Sequence, residues 1–229
     1  VEKYDDASVE YDVVGVDAAI ANSIRRTIHS DLTTLAIEMV LVANNTSVVP
    51  DEVFSHRLGL VPLYYSALMV PNHQPITLAN PIVLTLRVKN SSKQPVSVYA
   101  KELTVRDAEF KDAVRICDPD ILLCRLAANQ EVDLELHCIE GTGREHAKWS
   151  PVSIASYRLM PEIRILSPIT GKDAEKFANC FTAGTVAVES GKAVVKAPRL
   201  DMVSRECLRH PEFEGKVELG RVADHFIFN

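Results

Sequence analysis

DAAIANSIRRTIHSDLTTLAIEMVLVANNTSVVPDEVFSHRLGLVPL, residues 17–63, is the stretch whose reading decides the fold. Ile20, Ile24 and Ile28 recur at helical spacing, with Ala21 and Leu32 widening the stripe, so an amphipathic helix is predicted. Asp17 stands where an N-cap carboxylate can accept from the free amides of the first turn. At about 100° per residue, Asn22, Arg26 and His29 fall on the opposite face and Arg25 on its border. The apolar stripe has to pack on a sheet or a partner helix, and the two-arginine face is either a solvated surface or a docking point. Ala36 to Ala43 is apolar apart from Glu38 and predicts a mostly buried strand. Residues 44–47, NNTS, are turn chemistry. They also spell a glycosylation sequon, but with no secretory signal the turn reading prevails. Pro50, Asp51 and Glu52 suit the first turn of a short helix, where the macrodipole favours acids. Gly59 is expected to take the left-handed position after it, and Pro62 to stop it resuming. No nucleophile, metal cluster or phosphate cradle is built into these residues. They read as an assembly surface on a scaffold.

Outward from this stretch the pattern is mostly strands. Val9 to Val16 alternates upstream. Downstream, residues 64–81 hold three prolines and no charge, and read as a connecting loop. Ile82, Leu84, Leu86 and Val88 then alternate with Thr85, Arg87 and Lys89 as a two-sided strand. Val96 and Val98 begin another, and Val132, Leu134, Leu136 and Cys138 alternate with Asp133, Glu135 and His137 as a third. Residues 157–166 are strand-like around Pro161. A hairpin is expected over 185–196, turning at Ser190 and Gly191 with Val186 and Val188 facing Val194. Val203 to Arg209 is a short helical candidate, and His225 to Asn229 a final strand. There is no internal repeat and no low-complexity tract.

The totals narrow the function classes. The 229 residues suffice for one large domain or two modest ones. A net charge of −6 argues against a free-standing nucleic-acid binder. The five cysteines are widely spaced with no CxxC, which indicates neither a disulfide framework nor a zinc site but reduced core thiols, as in the cytosol or nucleus. No stretch approaches the roughly 20 apolar residues of a membrane span, so no membrane contact is expected. A chain beginning at Val1 without an initiator Met reads as starting inside a longer protein.

Three constellations invite chemistry. In GTGREHAKWSP, residues 141–151, Gly141 and Gly143 with Arg144 and Lys148 could approach a phosphate, but the third glycine of a dinucleotide fingerprint is missing. A tight turn returning from the β-rich stretch, with Trp149 packed beneath it, is the stronger reading. His137 and Cys138 are neighbours on an alternating strand, so they point to opposite faces and cannot serve as base and nucleophile. The other histidines are dispersed, with no HxxxH or HExxH, so a metal site is not expected. Asp51 and Glu52 read as helix-start electrostatics, not an acid/base pair. The chemistry on offer is surfaces, including a basic segment, VSRECLRH, at residues 203–210.

Four blocks resemble one family. ANSIRRTI (21–28) resembles the motif shared by bacterial α and the archaeal and eukaryotic α-like subunits of multisubunit RNA polymerases. NNTSVVPDEVFSHRLGLVPL (44–63) is similar to the second motif of the larger α-like subunit, and HAKWSP (146–151) to the same group. SYRLMP (156–161) and residues 203–229 look like the version shared by polymerases I and III. The polymerase II counterpart and some archaeal ones carry a cysteine cluster in the middle module. Cys117, Cys124 and Cys138 have no matching spacing, so no metal and no other cofactor is expected.

The resemblance implies an α+β fold. A discontinuous dimerisation domain, residues 1–63 and 143–229, would be interrupted by an inserted β-rich domain, residues 64–142. It implies a non-catalytic scaffold subunit in the nucleus, including the nucleolus. Its partners would be the small α-like subunit, the second-largest subunit and small zinc-binding subunits, with DNA met only through the assembled polymerase. Ile20, Ile24 and Ile28 would lie at the heterodimer interface, and Asn22, Arg25, Arg26 and His29 would face the large subunit. The family continues beyond HFIFN into a long C-terminal helix, and its loops near 64–81 and 90–95 are longer. This chain is either a compact version or an incomplete one. The rivals are a bacterial-type homodimer, a nucleic-acid-binding module using Arg144, Lys148 and the basic residues of 199–209, and a small hydrolase using a histidine and a cysteine.

Overall fold

In the computed structural model, residues 3–5, 8–66 and 75–229 are described. Strands β1 (Lys3–Tyr4) and β2 (Val9–Val14) lead into α1 (Ala18–Ser30), β3 (Thr33–Asn45), α2 (Asp51–Gly59) and β4 (Leu63–Tyr65). Then come β5 (Ile82–Lys89), β6 (Val96–Tyr99), β7 (Thr104–Val105), β8 (Val114–Ile116), β9 (Leu122–Leu126) and β10 (Glu131–Thr142). β11 (Tyr157–Ile165), α3 (Lys172–Asn179), β12 (Val186–Glu189), β13 (Lys192–Val195) and β14 (Val217–Phe228) complete the chain. The fold is α+β, as the resemblance implies. Compactness divides it into Val1–Arg25 with Ile154–Asn229, and Arg26–Ser153.

In the unit Arg26–Ser153 the main sheet has the antiparallel order β3-β10-β5-β7. The alternation read in β5 and β10 sets the register, with Leu86 opposite Leu134, Leu84 opposite Leu136 and Ile82 opposite Cys138. All six of these side chains are at most 1% exposed, and Phe54 and Leu58 of α2 close over the same core. β3 belongs to this core too, because it pairs with β10 from Thr33↔Thr142 to Asn45↔Val132. The compact boundary falls at residues 26 and 153, since β3 and α2 bury their apolar faces against β5 and β10.

β3 also corrects an expectation. Leu35, Ala36 and Ile37 are buried, but Met39, Leu41 and Val42 are 42%, 45% and 39% exposed. An apolar run is buried on both faces only where layers cover both. Here β3 is the edge of its sheet, and two bulges against β10 turn part of its length outward. α2 begins where Pro50 and the acids place it, yet Gly59 lies inside the helix, not in a left-handed cap. The end is made by Leu60 in the right-handed region, its amide donating to Arg57 O. Tyr64 and Tyr65, expected in a loop, form β4 against β8. The rest of that loop reading falls in part on residues 67–74, outside the described residues.

The other unit holds the sheet β1-β2-β14-β11. Ala21, fully buried, and Ile24 set the first two turns of α1 on Phe226 and Phe228 of β14, with Tyr11 stacked on Phe228 at 5.0 Å. A second core gathers Phe177, Phe181 and Phe213 around α3. The hairpin β12–β13 turns at Ser190 and Gly191, φ +49° and +74°, as a two-residue loop demands. Its register differs from the expectation: Val186 faces Val195, Val188 faces Ala193, and Val194 faces Ala187. Residues 203–209 do not form an α-helix. Val203 and Arg205 take φ +57° and +58°, leaving a 3-10 turn at Glu206–Arg209. Four cysteines are buried thiols as expected, whereas Cys117 is exposed; all five are free.

Candidate assembly surface

α1 carries the residues singled out from the sequence. Asp17 O accepts from the amides of Ile20 and Ala21 and starts the helix. The apolar stripe divides along its length. Ala21 and Ile24 are spent on the chain's own sheet, Ile28 is half-buried, and Ile20 stays 53% exposed. The polar face divides as well. The Arg25 guanidinium donates from Nε and Nη2 to Asn22 Oδ1, at 3.2 and 2.9 Å, and both residues are half-buried. Arg26 is exposed and makes no ion pair among the described residues, while His29 is half-buried. Asn22 and Arg25 thus form one hydrogen-bonded group, and Arg26 is an exposed cation.

The loop returning from β10 is packed against the last turn of this helix. A Cβ at Gly143 would lie 2.0 Å from His29 O, so only glycine permits the approach. Arg144 N donates to Ser30 O at 3.2 Å, and its guanidinium pairs with Asp31. Gly141 is needed for the same reason: a Cβ there would stand 2.4 Å from the Trp149 ring. Trp149, 5% exposed, lies under the turn as expected and donates from Nε1 to Ile139 O at 3.2 Å. Lys148 donates to Ile37 O at 2.9 Å, pairs with Glu38, and sits over the Trp149 ring at 4.4 Å. Both glycines serve close packing, and both cations already have partners, so the loop is not a phosphate cradle.

His137 and Cys138 do not form a base and nucleophile pair. His137 Nε2 lies 2.9 Å from Glu135, while Cys138 is fully buried on the opposite face, its thiol pushed up to about 12 by burial, with Lys148 only partly offsetting. Among the described residues no group of His, Cys, Asp and Glu is arranged to hold a metal ion, and no helix is long and apolar enough to cross a membrane.

One charged cluster had no sequence signal. Arg199 donates from Nη1 to Asp12 at 2.6 and 2.8 Å and from Nη2 to Glu10 at 2.6 Å, and His225 Nε2 lies 2.6 Å from Asp12. Burial acts to raise the Asp12 carboxyl, but hydrogen bonds with Arg199 and His225 outweigh it and hold it below its ordinary range. Partners some 190 residues apart cannot be read from local pattern. The exposed apolar residues of β3 were also missed as a surface, because a continuous apolar run signals burial first.

Residues 37–158 match the family described as RNA polymerase Rpb3/RpoA insert domain. The RPAC1 subunit of DNA-directed RNA polymerases I and III from Saccharomyces cerevisiae is 42% identical over 258 residues, covering 100% of this chain and 77% of that protein. The Homo sapiens RPAC1 subunit is 38% identical over 253 residues, 98% of this chain and 73% of its own length. An archaeal relative, polymerase subunit Rpo3 of Methanopyrus kandleri, is 30% identical over 220 residues, 93% and 76% of the two chains.

Proposed function

Because the chain belongs to the α-like subunits shared by RNA polymerases I and III, we propose that it acts there as a non-catalytic assembly platform. It pairs with the small α-like subunit and presents a docking face to the second-largest subunit and to small zinc-binding subunits. DNA is met only through the assembled enzyme, in the nucleus and nucleolus. Phosphodiester synthesis belongs to the large subunits, where two metal ions can clamp the attacking and leaving oxygens.

The observation that carries this reading is the division of α1. Its first turns are anchored by Ala21 and Ile24, while Ile20 and Arg26 are both exposed. An outward isoleucine beside half-buried Ile28 suits a partner helix, which is the role proposed for Ile20, Ile24 and Ile28. Asn22, Arg25, Arg26 and His29 are proposed to meet the large subunit. Arginine suits that role because its planar fork can hold a carboxylate or carbonyls at a desolvated interface. The apolar edge Met39, Leu41 and Val42 would be covered by neighbouring subunits in the same assembly, since obligate interfaces resemble a core cut in half. The division into dimerisation and insert parts is retained as a division of labour, the ends of the chain carrying the pairing.

The test is co-expression with a small α-like subunit, with mass measured by light scattering beside the lone chain. A 1:1 complex is expected. A lone chain that stays a stable monomer or homodimer and ignores the partner would overturn the pairing. Arg26→Ala is expected to leave that complex intact and weaken capture of the second-largest subunit roughly 10- to 100-fold, the range of a hot-spot arginine. Unchanged capture would remove Arg26 from the docking face.

A further inference from the structure

The sheet β1-β2-β14-β11 has two faces, and they are held differently. On one, Tyr11, Val13, Phe226, Phe228, Tyr157 and Leu159 stand in register and pack with Ala21 and Ile24 of α1. Alternation puts Glu10, Asp12, His225, Ile227 and Arg158 on the other. That second face is also closed: Ile227, in register with Asp12 on one side and Arg158 on the other, is 3% exposed. Its cover is the 3-10 turn Pro198–Leu200, which lies against β11. Arg158 donates to the carbonyls of Arg199 and Asp201 at 2.6 and 3.2 Å and holds the turn there.

From this turn Arg199 reaches past β14 to β2. Its fork takes both oxygens of Asp12, at 2.6 and 2.8 Å, and Glu10 at 2.6 Å, while His225 Nε2 lies 2.6 Å from Asp12. All four residues are half-buried. The backbone of β2 pairs with β14 over four residues, Tyr11 to Val14, and β1 adds two more pairs. Gly15, Val16 and Asp17 then lead straight into α1, so a shift of β2 is a shift of the helix's first turn. Without Arg199, Glu10 and Asp12 would be two carboxylates on one face of one strand, where like charges disfavour each other.

We propose that the turn Pro198–Leu200 is a strap with Arg199 as its clasp, and that it sets whether the start of α1 is closed or open. With Arg199 seated, β2 lies on β14 and the first turns of α1 on Phe226 and Phe228. With Arg199 unseated, the two carboxylates repel, and β1, β2 and the first turns of α1 open together as one local unit. The core around β5 and β10 is a separate cluster of buried residues and stays folded. Elements held by few backbone bonds and one polar group are the ones that open below the global unfolding free energy. Arginine suits the clasp because its planar fork can hold three oxygens at once, where a lysine offers a point charge. The consequence rests on the reading of α1 as an assembly helix: Ile20 is in place for a partner only while the clasp is shut.

Amide hydrogen exchange read by mass spectrometry tests the strap on the soluble form that co-expression with the small α-like subunit yields, complex or lone chain. The result therefore stands whether or not the pairing does. Arg199→Ala is expected to speed exchange about tenfold in peptides covering 9–14 and 18–24, the scale of one charged hydrogen bond lost. Peptides covering 82–89 and 131–138 should be unchanged. Arg199→Lys, which keeps the charge, should hold the first two peptides within about threefold of the original. Glu10→Gln leaves Asp12 and His225 joined and should speed the same two peptides about threefold. It decides the matter by the same criterion if Arg199→Ala does not accumulate as soluble protein. Unchanged exchange in 9–14 and 18–24, or an equal rise in all four peptides, would overturn the strap. The expected pattern in a chain that ignores the partner would uphold the strap and sink the pairing alone.

Discussion

β3 and β10 are hydrogen-bonded partners along nearly their whole lengths, yet they meet water differently. β10 has a neighbour on each side, and its Val132, Leu134, Leu136 and Cys138 are at most 1% exposed. β3 is more continuously apolar, but it is an edge, and Met39, Leu41 and Val42 remain about two-fifths exposed. Apolar content does not decide burial within a sheet; place in the ladder does. In β10 the apolar side chains hold the subunit together. In β3 some of them are left over, as the proposed assembly surface requires.

The sharpest break would come from Leu136→Ala, at the fully buried centre of β10. Truncating a core leucine costs about 2–5 kcal/mol, so the urea midpoint should fall steeply with little change in slope. A loss below about 1 kcal/mol would mean that β10 does not carry the core. Gly141→Ala probes the other end of the same strand, where a Cβ would enter the Trp149 ring. Overpacking of this kind costs about 1–3 kcal/mol. Trp149 is the only tryptophan, so its fluorescence should report the displacement directly. An unaltered spectrum and midpoint would show the turn to be looser than its contacts. The smallest effect on stability belongs to β3. Leu41→Asp should shift the lone chain by no more than about 0.5 kcal/mol while reducing recovery of the polymerase assembly. Loss of stability without loss of assembly would reverse the contrast between the two strands.

The same contrast explains what local pattern reveals. α1, α2, β5 and β10 are legible because spacing, capping acids and alternation act within a few residues. β3 was legible as a strand but not as an edge, since edge status depends on whether another strand pairs with its side away from β10. α3 went unread: eight residues with only Ala174 and Phe177 buried give too short a period to register. The helix expected at 203–209 gave way because anchors at Arg199, Ser204 and Cys207 fix a backbone that helical spacing does not foresee. On the candidate surface, the polar face of α1 was legible from spacing. The tie between Arg25 and Asn22, and the exposure of Arg26, required the folded chain.

The contact between Gly143 and the carbonyl of His29 has a consequence in time. The last turn of α1 emerges early in synthesis, but the residues that brace it, Gly143 and Arg144, follow 113 or so positions later. At about 5–20 residues per second, roughly 6–23 s separate the two. Through that interval Arg26 and His29 stand on an unbraced helix end. The brace closes only after β10 has been made, so a partner that reads the braced geometry is offered it only once Gly143 and Arg144 have followed that strand.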